Sequence, residues 1–171
     1  LVNCLKEVAA SFGWLSLTDK ECKSLIPEQK LSSPPDFYIR DGKDVILFEC
    51  KDIRIPKEIK ADGTTKQLID EIDKDFVGYL DTEKNKWRYK GVGQLVRNAK
   101  RIQDDLFDWD KNADEDSRIY LVLVLADTRH VDGGWKNYLN KRMFEECARQ
   151  NVEVSRVCPL VLTDLGILIT Y

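Results

Sequence analysis

Apolar residues recur at helical spacing at the start of the chain and at strand spacing soon after. Leu1, Leu5, Val8, Ala9 and Phe12 fall on one face of a helix over residues 1–12. Thr18-Asp19-Lys20-Glu21 has the form of a capping box and predicts a short second helix. Pro34-Pro35 ends that segment. Two β-prone runs follow, 37–39 and 45–48, with Asp41-Gly42-Lys43-Asp44 as turn residues between them. Residues 53–65 are charged and contain Pro56 and Gly63, which reads as a loop. A helical pattern then runs over 66–80 through Leu68, Ile69, Ile72, Phe76 and Leu80. Another opens at Gly91-Val92-Gly93-Gln94, with Leu95, Ala99, Ile102 and Leu106 as its apolar stripe. Residues 119–126 are apolar without interruption, the pattern of a central strand buried on both faces. Residues 135–149 read as a helix through Tyr138, Leu139, Arg142, Met143 and Cys147. Runs 157–162 and 166–171 read as two closing strands about a turn near Asp164.

The hairpin carries the chemistry. A two-residue loop at Gly42-Lys43 suits a type II′ turn, which takes Gly first. That register sets Arg40 opposite Val45, Tyr38 opposite Leu47 and Asp36 opposite Glu49. A four-residue loop keeps the register, whereas a three-residue loop would set Asp36 opposite Phe48. Opposed residues have Cβ atoms roughly 5 Å apart. Strand alternation puts Glu49 and Lys51 on one face and turns Cys50 away. Two carboxylates and an ammonium therefore converge. Like charges this close repel, and a cation between them removes the penalty. Oxygen ligands favour Mg²⁺ or Mn²⁺ over zinc. Such an ion polarises a phosphoryl oxygen and acidifies a bound water, and Lys51 is placed to orient that water or to stabilise charge on the phosphate.

Glu-x-Lys is a common tripeptide in a chain with 33% charged residues, and two more copies occur, Glu21-Cys22-Lys23 and Glu58-Ile59-Lys60. Neither closes an apolar strand, so both read as solvated surface. Glu49 and Lys51 emerge from Val45-Ile46-Leu47-Phe48, which is apolar on both faces and reads as buried.

The succession Pro35-Asp36, then Glu49-Cys50-Lys51, resembles the PD-(D/E)xK nuclease superfamily, the restriction-endonuclease-like fold. The resemblance covers most of residues 1–126. It implies an α/β domain with a mixed central sheet flanked by helices: a helix, an antiparallel sheet carrying the motif, a second helix and a further strand. It implies a metal-dependent nuclease that hydrolyses DNA phosphodiester bonds with Mg²⁺ or Mn²⁺. Asp36 and Glu49 match the family's metal ligands, the Cys50 backbone carbonyl its carbonyl ligand, and Lys51 its catalytic lysine. Gln94 fits the glutamine that many members carry on the following helix, and Glu7 is the candidate for a first-helix glutamate ligand. Residues 53–90 read as an insertion between the motif strand and the Gln94 helix.

Basic residues crowd 84–101: Lys84, Lys86, Arg88, Lys90, Arg97, Lys100 and Arg101, with Trp87 and Tyr89 interleaved. Basic residues with aromatics suit contact with a nucleic-acid backbone, and Lys86, Arg88, Lys90, Arg97 and Arg101 are the candidates for it. The formal net charge of −3, with acids crowded in 70–75 and 104–116, is unlike a DNA-binding domain taken as a whole. A local basic stripe, or further domains of the same polypeptide, would then supply affinity. The chain opens inside a helix without Met and reads as part of a longer protein forming a single domain here. Five scattered cysteines and one histidine, His130, point away from a zinc site and from Ser-His or Cys-His hydrolysis, and toward reduced thiols in the cytoplasm. No apolar run approaches the roughly 20 residues of a membrane span. A non-catalytic binding or assembly domain of the same fold, and an RNA-directed nuclease, remain open alternatives at this point.

Overall fold

The structure is a computed structural model and describes residues 1–25, 33–52, 63–125 and 133–162. Helix α1 (Val2–Phe12) leads into strand β1 (Leu15–Thr18), helix α2 (Asp19–Leu25) and the hairpin of β2 (Phe37–Asp41) and β3 (Asp44–Lys51). Helix α3 (Thr65–Ile72), a small hairpin of β4 (Gly78–Asp81) and β5 (Lys86–Tyr89), and helix α4 (Gly91–Gln103) follow. Strand β6 (Arg118–Leu125), helix α5 (Gly133–Arg149) and strand β7 (Val157–Leu162) complete the described fold.

The main sheet has the order β1-β2-β3-β6-β7. Its first three strands are antiparallel, while β3, β6 and β7 run parallel. The domain is therefore α/β, with a mixed central sheet flanked by helices. β6 has a neighbour on each side and buries Leu121, Leu123 and Leu125 on one face and Val122 and Val124 on the other. This is the environment that its unbroken apolar run predicts.

Strand alternation divides the core into two halves. Phe37, Ile39, Phe48, Val122 and Val124 pack with Ala9 and the partly buried Leu1, Val2 and Leu5 of α1. Tyr38, Val45, Leu47, Leu121 and Leu123 pack on the opposite face with α4 and α5. Leu139, Met143 and Cys147, each a helical turn apart, carry α5 into that layer. Glu49 and Lys51 continue the odd-numbered series of Val45 and Leu47, so they belong to the face covered by α4.

Two expectations need correction, and strands β1 and β5 were not foreseen. The helix expected over 66–80 ends early. α3 passes into a π-helical turn, Asp73–Val77, and Gly78 at φ 147° turns the chain into β4. Leu80 is consequently half exposed rather than part of a buried stripe. Residues 86–89, within the basic stretch and given no element by the sequence, form β5, whose alternation of Lys86 and Arg88 with Trp87 and Tyr89 suits a strand. Leu106 lies beyond the end of α4 and is exposed. Strand β1 was not expected at all, since Trp14-Leu15-Ser16-Leu17 is too short to show a period.

The loop expected over 53–65, the second closing strand 166–171, His130 and the third Glu-x-Lys copy lie largely or wholly outside the described residues. No helix among the described residues is long and apolar enough to cross a membrane.

Candidate active site

The β2–β3 ladder runs from Phe37 opposite Phe48 to Asp41 opposite Asp44, with Tyr38 against Leu47 and Arg40 against Val45. Gly42 takes φ 56°, as the first central residue of a type II′ turn requires. The even loop and its register are as expected. Asp36 lies one residue beyond the ladder. Its N–H donates to the Phe48 carbonyl at 3.0 Å, so the backbone shifts out of strict pairing with Glu49. Its side chain takes over a bonding role there: Oδ2 accepts the Cys50 N–H at 2.7 Å.

Asp36, Glu49, Lys51 and Gln94 line one cleft of about 790 Å³. Glu49 is 1% exposed. Its Oε1 accepts from the Lys51 ammonium at 2.6 Å, and its Oε2 is buried with no hydrogen-bond partner among the described residues. Burial is the main reason its carboxyl is pushed up to about 7; Lys51 opposes that shift, and the charge of Asp36 adds to it. An orphaned carboxylate oxygen in a polar cleft is a position that a cation fits. Burial also raises the Cys50 thiol to about 11, so this side chain stays protonated at neutral pH.

Lys51 lies 3.5 Å from Gln94 Oε1. The contact depends on a close approach of α4 to β3. A Cβ on Gly91 would stand 2.7 Å from the Phe76 carbonyl oxygen and 3.5 Å from Lys51 Cε, and the residue has φ 24°. A Cβ on Gly93 would stand 2.3 Å from the Val77 carbonyl oxygen. The two glycines let the first turn of α4 nest on the π-helical turn and above the Lys51 stem. Asn98, buried in α4, donates to the Ser33 carbonyl at 3.3 Å and ties the segment before Asp36 to the same helix.

Lys86, Arg88, Lys90 and Arg97 line the cleft, though the Arg88 guanidinium is paired with Asp81 at 3.1 Å. Arg101 does not line the cleft. It lies over Trp109 at 4.7 Å and donates to the Leu106 carbonyl, one helical turn beyond Arg97 and past the end of the cleft.

Glu7 is exposed on α1 and is not brought to the cleft, because α1 covers the opposite face of the sheet. The acid that does reach the cleft from the first part of the chain is Asp19, which sequence reasoning missed. Its N–H donates to the Asp36 carbonyl at 3.3 Å, its carboxylate pairs with Lys23 at 2.7 Å, and its charge contributes to raising Glu49. The available signal was the Thr18–Glu21 capping box, which places Asp19 at a helix start beside the strand.

Among the described residues, no three His, Cys, Asp or Glu side chains gather as a metal-holding group. The donor set is two carboxylates, Asp36 and Glu49, with the Cys50 backbone beside them. Mg²⁺ keeps several waters and takes one or two protein carboxylates, so this chemistry suits it better than a cage-forming ion. No protein-family model, curated protein or solved structure matches the chain.

Proposed function

We propose that this domain is a metal-dependent nuclease that hydrolyses DNA phosphodiester bonds, an endonuclease acting in DNA processing or defence. The observation that carries the reading is Glu49: an almost wholly buried carboxylate with one free oxygen, in a cleft shared with Asp36, Lys51 and Gln94. The order helix, antiparallel sheet, helix, parallel strand supports the restriction-endonuclease-like assignment.

Asp36 and Glu49 would hold the ion, with the Cys50 carbonyl as a third oxygen. When bound, Mg²⁺ or Mn²⁺ supplies phosphoryl polarisation and a more acidic water. Lys51 projects from the same strand face as Glu49 and places a fixed positive charge beside the reacting phosphate. Gln94 steadies the ammonium and offers an amide to water or phosphate oxygen. Lys86, Lys90 and Arg97 have no ion-pair partner among the described residues, so their charges are available to the DNA backbone.

The 2.6 Å Lys51–Glu49 ion pair favours a second reading, a non-catalytic binding or assembly domain in which the pair is simply structural. Calorimetric titration with Mn²⁺ and a Mn²⁺-dependent plasmid-nicking assay separate the two. Asp36→Ala is expected to remove metal binding. Lys51→Ala is expected to keep it while lowering cleavage by about 10²-fold or more. Equal nicking by Lys51→Ala, or metal binding untouched in Asp36→Ala, would sink the nuclease reading. Parallel assays on single-stranded DNA and RNA identify the preferred nucleic acid.

A further inference from the structure

A second cavity of about 520 Å³ adjoins the cleft and is not explained by the catalytic grouping. Lys86, Trp87, Tyr89 and Arg97 line both cavities, so β5 and α4 form a shared wall. Beyond that wall, Lys100 and Arg101 of α4 meet Arg149 from the last turn of α5. Among the described residues, five cations thus line the groove and no carboxylate does. The cleft differs, since Asp19, Asp36, Glu49 and Asp81 are among its lining residues. Three groove cations have acidic partners outside the lining: Lys100 with Asp104, Arg101 with Asp108, and Arg149 with Glu146 at 2.6 Å.

The aromatic residues here serve the cations. The Arg149 guanidinium lies 5.0 Å from the Trp87 ring centre and 5.5 Å from that of Tyr89, while Arg97 lies 5.1 Å from Tyr89. Such stacking fixes a guanidinium in place at little entropic cost. Both rings carry guanidinium groups and therefore do not offer a bare platform for a base. The groove also carries two amides, Gln150, which donates to Glu146 at 3.0 Å, and Asn151. Apart from these and the two rings, its lining residues are the cations, so fixed positive charge dominates it.

We infer that this groove is a second phosphate site, which holds the sugar-phosphate backbone of the substrate to one side of the scissile position and does so without regard to sequence. The inference rests on the nuclease reading, because the groove matters as a continuation of the cleft. Arg149 is the residue that turns a stretch of basic sequence into a built groove, since it arrives from the far end of α5, well outside the 84–101 stretch.

The test is fluorescence anisotropy with labelled DNA of about 30 nucleotides, single-stranded in one arm and duplex in the other, with Ca²⁺ in place of Mg²⁺. The proteins are wild type, Lys100→Gln and Arg149→Gln. Lys100 forms an exposed i,i+4 pair, so its replacement leaves the fold intact even if Arg149→Gln, which uncovers the buried Glu146, does not. Each variant is expected to bind about 3- to 10-fold more weakly, equally across unrelated sequences, with the slope of log K against log salt reduced by about one. Loss in the single-stranded arm alone assigns the groove to an unpaired tail; loss in both assigns it to a duplex backbone. Wild-type affinity and salt slope in Lys100→Gln, with DNA cleavage by the wild type intact, overturn the groove and leave the nuclease reading standing. A loss that depends on sequence also overturns it. Failure of the wild type to bind DNA at all overturns both.

Discussion

Replacing Glu49 by Gln should stabilise the metal-free protein, and the gain should grow with pH. The carboxyl is raised from an ordinary 4.5 to about 7, chiefly by burial, with Lys51 opposing the shift. Below pH 4.5 the group is protonated in both folded and unfolded chains and costs nothing. Between 4.5 and 7 the unfolded chain ionises while the folded one holds its proton, so stability falls as pH rises, and above 7 the loss is complete. At about 1.4 kcal/mol for each tenfold change in proton affinity, the full loss is roughly 3 kcal/mol. Gln cannot ionise, and its carbonyl can still accept from Lys51, so the variant escapes this loss. Urea unfolding in EDTA, followed by tryptophan fluorescence at pH 4 and pH 8, measures the gap. The variant should gain about 3 kcal/mol on the wild type between the two values, or roughly 1–2 M in midpoint at a slope near 2 kcal/mol/M. Curves that stay parallel, or a variant less stable at pH 8, would mean that Glu49 is solvated when charged, and the account of an orphaned Oε2 would fail. Saturating Mg²⁺ should narrow the gap, because a cation favours the ionised wild-type side chain.

Two further outcomes check the packing that holds the site. Gly93→Ala brings a Cβ to 2.3 Å from the Val77 carbonyl oxygen and 3.1 Å from Tyr89 Cδ1, so it should lower stability by about 1–3 kcal/mol in urea unfolding. Parallel loss of Mn²⁺ binding is not expected, because Asp36 and Glu49 lie on the other elements. Asp110→Ala leaves the Arg40 guanidinium and the Tyr38 hydroxyl, which donates to Asp110 at 2.8 Å, without their buried acceptor. It should cost roughly 3 kcal/mol, and Tyr38→Phe, which keeps the ion pair, should cost about 1 kcal/mol.

The hairpin was legible because two local rules agree on it: an even loop and a period of two settle both its register and the face of each side chain. The central strand was legible because a fully apolar run has few other uses. Glu7 and Asp19 show where local rules stop. Which acid reaches the cleft depends on which face of the sheet α1 covers, and that is decided by Phe37, Ile39 and Phe48 meeting Ala9 across the fold. The end of α3 was hidden for a related reason. Phe76 and Leu80 continue a helical spacing, but Gly78 at φ 147° leaves the helix and the Val77 carbonyl accepts the Lys90 N–H at 3.0 Å, a partner far along the chain. Arg149 belonged to an ordinary helix pattern, and nothing near it in sequence points to Trp87.

The acidic overall charge bears on the nuclease reading only through where its carboxylates sit. Several in residues 104–116 already have cationic partners: Asp104 with Lys100, Asp108 with Lys111, Asp110 with Arg40, and Asp114 with Lys43. In the first helical cluster, Asp73 accepts from Tyr138 at 2.7 Å and Arg142 at 3.0 Å. These pairs cancel much of each other's field at a distance beyond the Debye length of roughly 8–10 Å. Among the described residues Lys86, Lys90 and Arg97 have no ion-pair partner, and all three line the cleft that holds Asp36 and Glu49. The arrangement is a local positive wall around a carboxylate-bearing centre. On the proposed nuclease reading, a phosphodiester approaching it would meet the wall first, and net charge says little about that encounter.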